Sequence, residues 1–172
     1  MEEKIIYKGL IFTLNQKTVK IKGKDYLRDI IRHPGGVGVL VIIDQKILLV
    51  QQMRPAIDQM TLEIPAGKLE YGEDPLKAGL RELNEEAGYT CKELQLIQSF
   101  VSTPGFCDER IWIYEAIDPI PVKQRLTMDE DEEIECQWIP IHEAYEMTRN
   151  GKIIDAKTIM AIDHAILKEK KV

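Results

Sequence analysis

The sequence has few of the residues that build disulfide frameworks and zinc sites. Its three cysteines, Cys91, Cys107 and Cys136, are odd in number, lie far apart and form no Cys-x-x-Cys pair. This pattern argues against both a disulfide framework and a structural zinc ion. The three histidines are equally scattered. We therefore expect reduced, mostly buried thiols and chemistry that does not depend on histidine.

Long apolar runs are also missing, since no stretch approaches the roughly 18 residues that a membrane span requires. The first residues, MEEKIIYKGL, have neither the basic region nor the small-residue cleavage site of an export signal. These two absences predict a soluble, cytoplasmic protein without a membrane partner. A length of 172 residues is enough for one main domain with a proper core.

Positive charge is in short supply, because 23 basic residues face 29 acidic ones and the net charge is −6. Much of the acid is concentrated at residues 67–89 and 128–135. Such a field repels a phosphate backbone unless metal ions intervene. The charge pattern therefore argues against nucleic acid as a partner.

The order of hydrophobic patterns predicts an α+β protein. Residues 4–31 contain β-rich runs broken by turn signals at Asn15-Gln16 and at 22–24, which is typical of a small antiparallel sheet. From residue 36 onward the patterns read as strands, one helix, more strands and two C-terminal helices, with Asp155 as an N-cap. We expect a mixed sheet with helices on its faces.

The first helix has well-marked ends. Asp74 can cap it, Pro75 suits its first position, and Gly88 supplies a left-handed stop, so the helix should run from Pro75 to Ala87. Apolar side chains at helical spacing predict its buried stripe: Leu76, Leu80, Leu83 and Ala87.

Three carboxylates cluster on the same helix, away from this stripe. Glu82, Glu85 and Glu86 stand at i, i+3 and i+4, so their repulsion requires a counter-charge. Arg81 can supply part of it, either to Glu85 or back to Glu73. Converging carboxylate oxygens are also what Mg²⁺ or Mn²⁺ binds. The alternative is a solvated acidic face, which is the more common explanation for a Glu-rich helix.

The whole stretch from Gly67 to Tyr89 decides between these interpretations. It reads G-x5-E-x7-R-E-U-x-E-E-x-G-U, where U is a bulky apolar residue, and every fixed position is filled. Chance would produce this match at a frequency on the order of 10⁻⁸ per starting position. The stretch resembles the motif of the Nudix hydrolases. The resemblance implies an α/β/α sandwich around a mixed sheet, and hydrolysis of nucleoside diphosphates linked to another moiety with two or three Mg²⁺ (or Mn²⁺) ions.

The resemblance also implies roles for the motif residues. Glu82 and Glu86 would be the principal metal ligands, Glu85 would be a further ligand or would hold a metal-bound water, and the Ala66 carbonyl would complete the shell. The remaining positions are structural in the motif: Gly67 for backbone approach to the metal, Glu73 and Arg81 as a loop-to-helix pair, and Gly88 as the helix stop.

Features outside the motif resemble the ADP-ribose pyrophosphatase branch, although the segment with Pro104 and Gly105 is also explained by an ordinary turn. In that branch Arg54 would contact phosphate, and Arg28 is a further candidate for binding substrate. The N-terminal segment, residues 1–33, would form a dimerising β subdomain, with the hydrolase domain at 34–172. The product pair would be AMP and ribose 5-phosphate.

The acidic segment DEDEEIE resembles a late loop that carries the catalytic base, and Glu130 and Glu132 are equal candidates for it. Alternatives remain open for the function. They are another substrate such as GDP-mannose, NADH or a dinucleoside polyphosphate, a non-catalytic domain that senses ADP-ribose, and a structural protein with an acidic face.

Overall fold

A computed structural model describes residues 3–127 and 134–170. Within these ranges the chain alternates short strands with three helices. The strands are β1 (Glu3–Lys8), β2 (Thr13–Ile21), β3 (Lys24–Arg32), β4 (Gly36–Leu40), β5 (Ile42–Ile43), β6 (Lys46–Arg54), β7 (Gln59–Glu63), β8 (Ala66–Lys68), β9 (Tyr89–Thr90), β10 (Glu93–Val101), β11 (Arg110–Ile117), β12 (Ile120–Pro121) and β13 (Glu135–Pro140). The helices are α1 (Pro75–Ala87), α2 (Ile141–Arg149) and α3 (Ala156–Glu169). In this part of the chain we find no helix with the length and apolarity needed to cross a membrane.

The central β structure is mixed, as the sequence predicts. One sheet has the order β10-β11-β4-β8, in which β11 and β4 are parallel and the other neighbours are antiparallel. A second sheet has the order β13-β6-β5, and β7 also pairs with β6. A two-residue turn with positive φ at Asp44 and Gln45 joins β5 to β6.

Alternation along the strands divides the core into two halves. In β4, Val37 and Val39 pack on the side of α1, whereas Leu40 packs on the side of α2 and α3. In β6, Leu48 faces α1 and its neighbours face the other two helices. Because successive strand residues point to opposite faces, one apolar strand serves both helix layers. The predicted α/β/α sandwich is confirmed.

The ends of α1 are as predicted, but its buried face is not. Asp74 accepts a hydrogen bond from the backbone of Leu76, and Gly88 ends the helix with φ 69°. Leu76, however, is 42% exposed, so its place in the buried stripe is wrong. Instead Glu82 and Glu86 are buried together with Leu83. The two carboxylates lie against β8, at Gly67 and Ala66.

The N-terminal strands form their own sheet, in the order β1-β2-β3. The turn expected at Asn15-Gln16 is wrong, because both residues lie inside β2 and the chain reverses between Gly9 and Phe12. Asn15 is buried, and its amide donates a hydrogen bond of 2.9 Å to Glu3 on the neighbouring strand. The cross-strand bond keeps this asparagine in the strand.

The N-terminal sheet joins the rest of the chain at β3. The backbone of Ile31 donates to Phe106 and accepts from Asp108, at 2.7 and 3.1 Å. Arg32 adds an ion pair of 2.9 Å with Asp108. The segment that carries Pro104 and Gly105 is therefore attached to the N-terminal sheet.

The cysteines are free thiols, of which two are half-buried and Cys136 is exposed. The expectation of mostly buried thiols is therefore wrong. The Cys136 thiol lies in β13 at 3.3 Å from the Glu86 carbonyl, at the end of α1.

Candidate active site

The first feature of the candidate site is the close contact between β8 and α1. A Cβ atom added at Gly67 would lie 2.0 Å from Oε1 of Glu82. No side chain fits there, so only glycine lets the strand approach the carboxylate this closely. The contact also orders the neighbouring residue, because the backbone N–H of Ala66 donates to Oε2 of Glu86 at 2.7 Å.

Two carboxylates of the cluster, those of Glu82 and Glu86, are buried. Glu82 is 7% exposed and Glu86 is 2% exposed. Carboxylates are rarely this buried unless they are paired or bind a cation. The solvated-face interpretation of the acidic helix is therefore excluded for Glu82 and Glu86.

Arg81 is the nearest cation to this cluster. Its Nη1 atom donates to Glu82 at 2.7 Å and to Glu85 at 2.9 Å, while Nε donates to Glu73 at 3.3 Å. Burial alone would lower the pKa of Arg81, but the bonds and charges of the surrounding carboxylates raise it. Both alternatives for Arg81 in the sequence thus occur together, since it contacts Glu73 and Glu85. One guanidinium is thus shared by three carboxylates of the motif.

The residues present fit a hard divalent cation. The donors are carboxylate oxygens and backbone beside a glycine, with no nitrogen or sulfur ligand from histidine or cysteine among them, and such sets suit Mg²⁺ or Mn²⁺. In the part of the chain that the structure describes, no group of three acidic, histidine or cysteine side chains is arranged so that it could hold a metal ion. Nη1 of Arg81 bridges Glu82 and Glu85 instead, so Arg81 holds the carboxylates together.

Another part of the same cleft, here called the cationic wall, carries the side chains of Arg54 and Lys157. Arg54 binds Glu63 through both ends of its fork, at 2.7 and 2.6 Å. Burial would raise the pKa of Glu63, but the hydrogen bonds and charges of Arg54 and Lys157 lower it to about 2. Lys157 Nζ lies 2.5 Å from the same carboxylate, and both cations line the cleft with Glu82 and Glu85.

The predicted site residues fall into three groups in space. Ala66, Gly67, Arg81, Glu82 and Glu85 line the cleft with Arg54, whereas Glu86 is buried beside it and contacts the Ala66 N–H. Arg28, Pro104 and Gly105 are exposed and do not line this cleft of the single chain. Arg28 instead stacks on Tyr26 at 5.5 Å. Glu130 and Glu132 lie outside the described residues.

The sequence interpretation missed three residues around the site. Lys157 belongs to the cationic wall, and Glu63 pairs with both of its cations. Arg125 donates to the backbone carbonyls of Glu85 and Glu86 at the end of α1. Only Lys157 left a signal, since a lysine in the first turn of a helix opposes the helix dipole. The other two depend on contacts between residues far apart in the chain.

Comparison with known proteins identifies the family. A model of the NUDIX domain matches residues 32–161. The chain belongs to the Nudix family. The match includes the motif helix α1, the glycine strand β8 and the cationic wall, and it begins at the end of β3.

Relatives of this Nudix protein resemble it over nearly their whole length. It is 40% identical to the ADP-ribose pyrophosphatase of Bacillus subtilis (strain 168), over 98% of this chain and 95% of that protein. It is 38% identical to the methanol dehydrogenase activator of Bacillus methanolicus, over 95% and 90%. A crystal structure of an ADP compounds hydrolase matches with a TM-score of 0.83 at 18% identity, over 99% of this chain and 94% of that one. That structure supports the Nudix fold.

Proposed function

We propose that this protein hydrolyses the diphosphate bond of ADP-ribose to AMP and ribose 5-phosphate, with divalent metal ions bound by the motif helix. The observation that carries the proposal is the pair of buried carboxylates, Glu82 and Glu86, against a strand whose glycine leaves no room for a side chain. The choice of ADP-ribose rests on the B. subtilis relative of that activity.

Two or three Mg²⁺ ions, or Mn²⁺ ions, would be held by Glu82, Glu86, Glu85 and the Ala66 carbonyl. When bound, such ions neutralise a diphosphate and lower the pKa of coordinated water. Glu73 and Arg81 hold the preceding loop against the helix. Arg54, in the cationic wall, offers a fixed cation to the phosphates. Glu130 or Glu132 would take the proton from the attacking water.

We also propose a homodimer formed through residues 1–33, with the hydrolase domain at 34–172. Arg28, Pro104 and Gly105 are exposed and attached to this N-terminal sheet rather than to the cleft of their own chain. In a dimer they would bind the nucleoside end of a substrate held by the partner subunit. The cytoplasmic location predicted from the sequence stays a prediction.

The test is release of AMP and ribose 5-phosphate from ADP-ribose in Mg²⁺, with EDTA as the metal-free control. GDP-mannose, NADH and a dinucleoside polyphosphate, assayed in parallel with Mg²⁺ and Mn²⁺, test the alternative substrates. If any of these compounds had a higher kcat/KM than ADP-ribose, that compound would be the preferred substrate instead. Absence of metal-dependent hydrolysis across the whole panel would refute the enzymatic proposal in favour of a binding or structural protein.

The metal-ligand assignment is tested by Glu86→Gln. Glutamine keeps an oxygen that can accept from the Ala66 N–H, but it removes the charge, so we expect kcat to fall at least about a hundredfold because metal stabilisation contributes several kcal/mol. Glu115→Gln is the matched control, since Glu115 is also buried but pairs with Lys168 outside the cleft. Near-normal Mg²⁺-dependent turnover of Glu86→Gln would remove Glu86 from the ligand set.

A further inference from the structure

Lys157 occupies an unfavourable place for a lysine. It lies in the first turn of α3, two residues after the capping residue Asp155, where the helix dipole repels a cation. Its side chain is only 12% exposed, and its Nζ atom lies 2.5 Å from Glu63 and 3.0 Å from Asp155. Burying a charge at this position costs free energy unless the charge is paired.

Neutralisation of Glu63 does not by itself require Lys157. Oε1 of Glu63 already accepts from Nε of Arg54 and from the Thr61 hydroxyl, and Oε2 accepts from Nη2 of Arg54. A bidentate arginine satisfies a carboxylate in both charge and geometry. Lys157 therefore adds a second cation to a carboxylate that is already paired.

Asp155 supplies a second carboxylate, so the two cations and the two carboxylates balance in charge. Its carboxylate also accepts from the backbone N–H and the hydroxyl of Thr158, at 2.9 and 2.6 Å, in its role as the cap of α3. The cap is thus divided between the helix N-terminus and Lys157. The two cations, Arg54 and Lys157, remain at the wall of an open cleft.

The cationic wall lies within reach of the carboxylate cluster. Residues 63–66 connect the two, because Glu63 contacts Lys157, Ile64 donates to Thr158 at the start of α3, and Ala66 donates to Glu86. Three residues of extended chain span at most about 10 Å. The hydrogen bonds to Glu63 raise the pKa of Arg54 against the effect of burial, and the charge of Glu86 adds to the increase.

We propose that Lys157 and Arg54 form a two-cation cradle that binds the substrate diphosphate, with Glu63 as the residue that positions both cations. This inference rests on the proposed function in requiring a diphosphate substrate. The carboxylate wall would bind the phosphates through metal ions, and the cradle would bind them directly. Arg54 presents a fixed fork and Lys157 a compact point charge, so the two cations make different contacts with phosphate oxygens.

The test is calorimetric binding of inorganic pyrophosphate in saturating Mg²⁺ to the wild type and to Lys157→Met. We expect at least about tenfold weaker binding to the variant, as for loss of one hydrogen bond to a charged group. Lys168→Met is the matched control, because Lys168 lies on the same helix and also pairs at 2.6 Å with a buried carboxylate, that of Glu115. It should lower the thermal midpoint of unfolding but leave pyrophosphate binding unchanged.

Lys157→Arg should restore most of the affinity, which a purely structural role would not require. If Lys157→Met does not fold, Lys157→Gln gives the same comparison with a polar head group. Equal affinity of the wild type and Lys157→Met or Lys157→Gln, no measurable binding to the wild type, or equal weakening by Lys168→Met would each overturn the cradle. Pyrophosphate lacks a nucleoside, so inactivity of the enzyme on ADP-ribose would refute the proposed substrate separately.

Discussion

At the residue scale, the site depends on Gly67, which has no side chain. Gly67 lets β8 lie against Glu82, and the Cβ atom of an alanine would overlap the carboxylate. In Gly67→Ala the carboxylate or the strand must move. We expect Mn²⁺ affinity to fall at least about tenfold, because a ligand displaced from a metal site loses its contribution to binding.

Titration of Mn²⁺ by electron paramagnetic resonance measures this change. Gly36→Ala, on the neighbouring strand β4, is the control. A Cβ atom at Gly36 would lie 3.5 Å from its nearest neighbour, which is an ordinary van der Waals contact. Unchanged Mn²⁺ affinity in Gly67→Ala would show that Glu82 does not bind the metal from its present position.

Also at the residue scale, Glu63 links stability to pH. Burial would raise its pKa above the ordinary value of 4.5, but the bonds and charges of Arg54 and Lys157 outweigh burial and lower it to about 2 in the folded protein. A depressed pKa stabilises the fold above pH 4.5, and this stabilisation is lost as the pH falls from 4.5 to about 2. The contribution is on the order of 3 kcal/mol.

Glu63→Gln should therefore lower the free energy of unfolding at pH 7 and should converge on the wild type near pH 2. Urea unfolding at a series of pH values measures the difference. Glu93→Gln, which removes an exposed carboxylate from β10, should follow the wild-type curve throughout. A difference between Glu63→Gln and wild type that does not change with pH would contradict the assignment.

At the scale of the element, α1 is completed by a residue from outside it. The helix has no basic residue in its last turn, and Arg125 supplies the cation by donating to the carbonyls of Glu85 and Glu86. The adjacent backbone is fixed as well, since the Leu126 N–H donates to the Asn84 side chain at 2.8 Å. A cation at the C-terminus of a helix offsets the helix dipole.

Arg125→Ala should lower the free energy of unfolding by about 1–2 kcal/mol, because two carbonyls at the helix end lose their donor. Chemical denaturation measures this change in the free energy of unfolding. Lys123→Ala removes an exposed basic residue from the same segment and should have little effect. Equal stability of the two variants would mean that the helix end does not depend on Arg125.

At the scale of the whole molecule, the N-terminal sheet exposes more apolar surface than an isolated chain normally tolerates. Ile5, Tyr7 and Leu27 are between 56% and 59% exposed, and Leu10 in the first turn is fully exposed. Apolar side chains grouped in this way mark an interaction surface. The proposed second copy of the chain would cover them.

Light scattering coupled to size-exclusion chromatography should give a mass about twice the 19.8 kDa of one chain. The double variant Ile5→Glu/Leu27→Glu should reduce it to one chain, because charges are costly to bury in an apolar interface. Lys22→Glu, at the turn of the same sheet, should leave the mass unchanged. A monomeric wild type would refute the dimer.

The sequence by itself determined the elements whose signals are local. The caps at Asp74 and Asp155 and the stop at Gly88 follow from backbone preferences of those residue types, and the structure agrees. The Nudix motif likewise fixed the family, because its identities and spacings lie within 23 residues of one loop and helix.

Tertiary structure alone decided which face of α1 is buried and what surrounds the carboxylates. Periodicity assigns burial by apolarity, so it placed Leu76 inside and gave no signal that Glu82 and Glu86 are buried against β8. Lys157 meets Glu63 across 94 positions, and Arg125 meets Glu86 across 39. Such contacts depend on how the strands are paired, and charge-to-charge distances of this kind are not encoded in the spacing of residues along any one element.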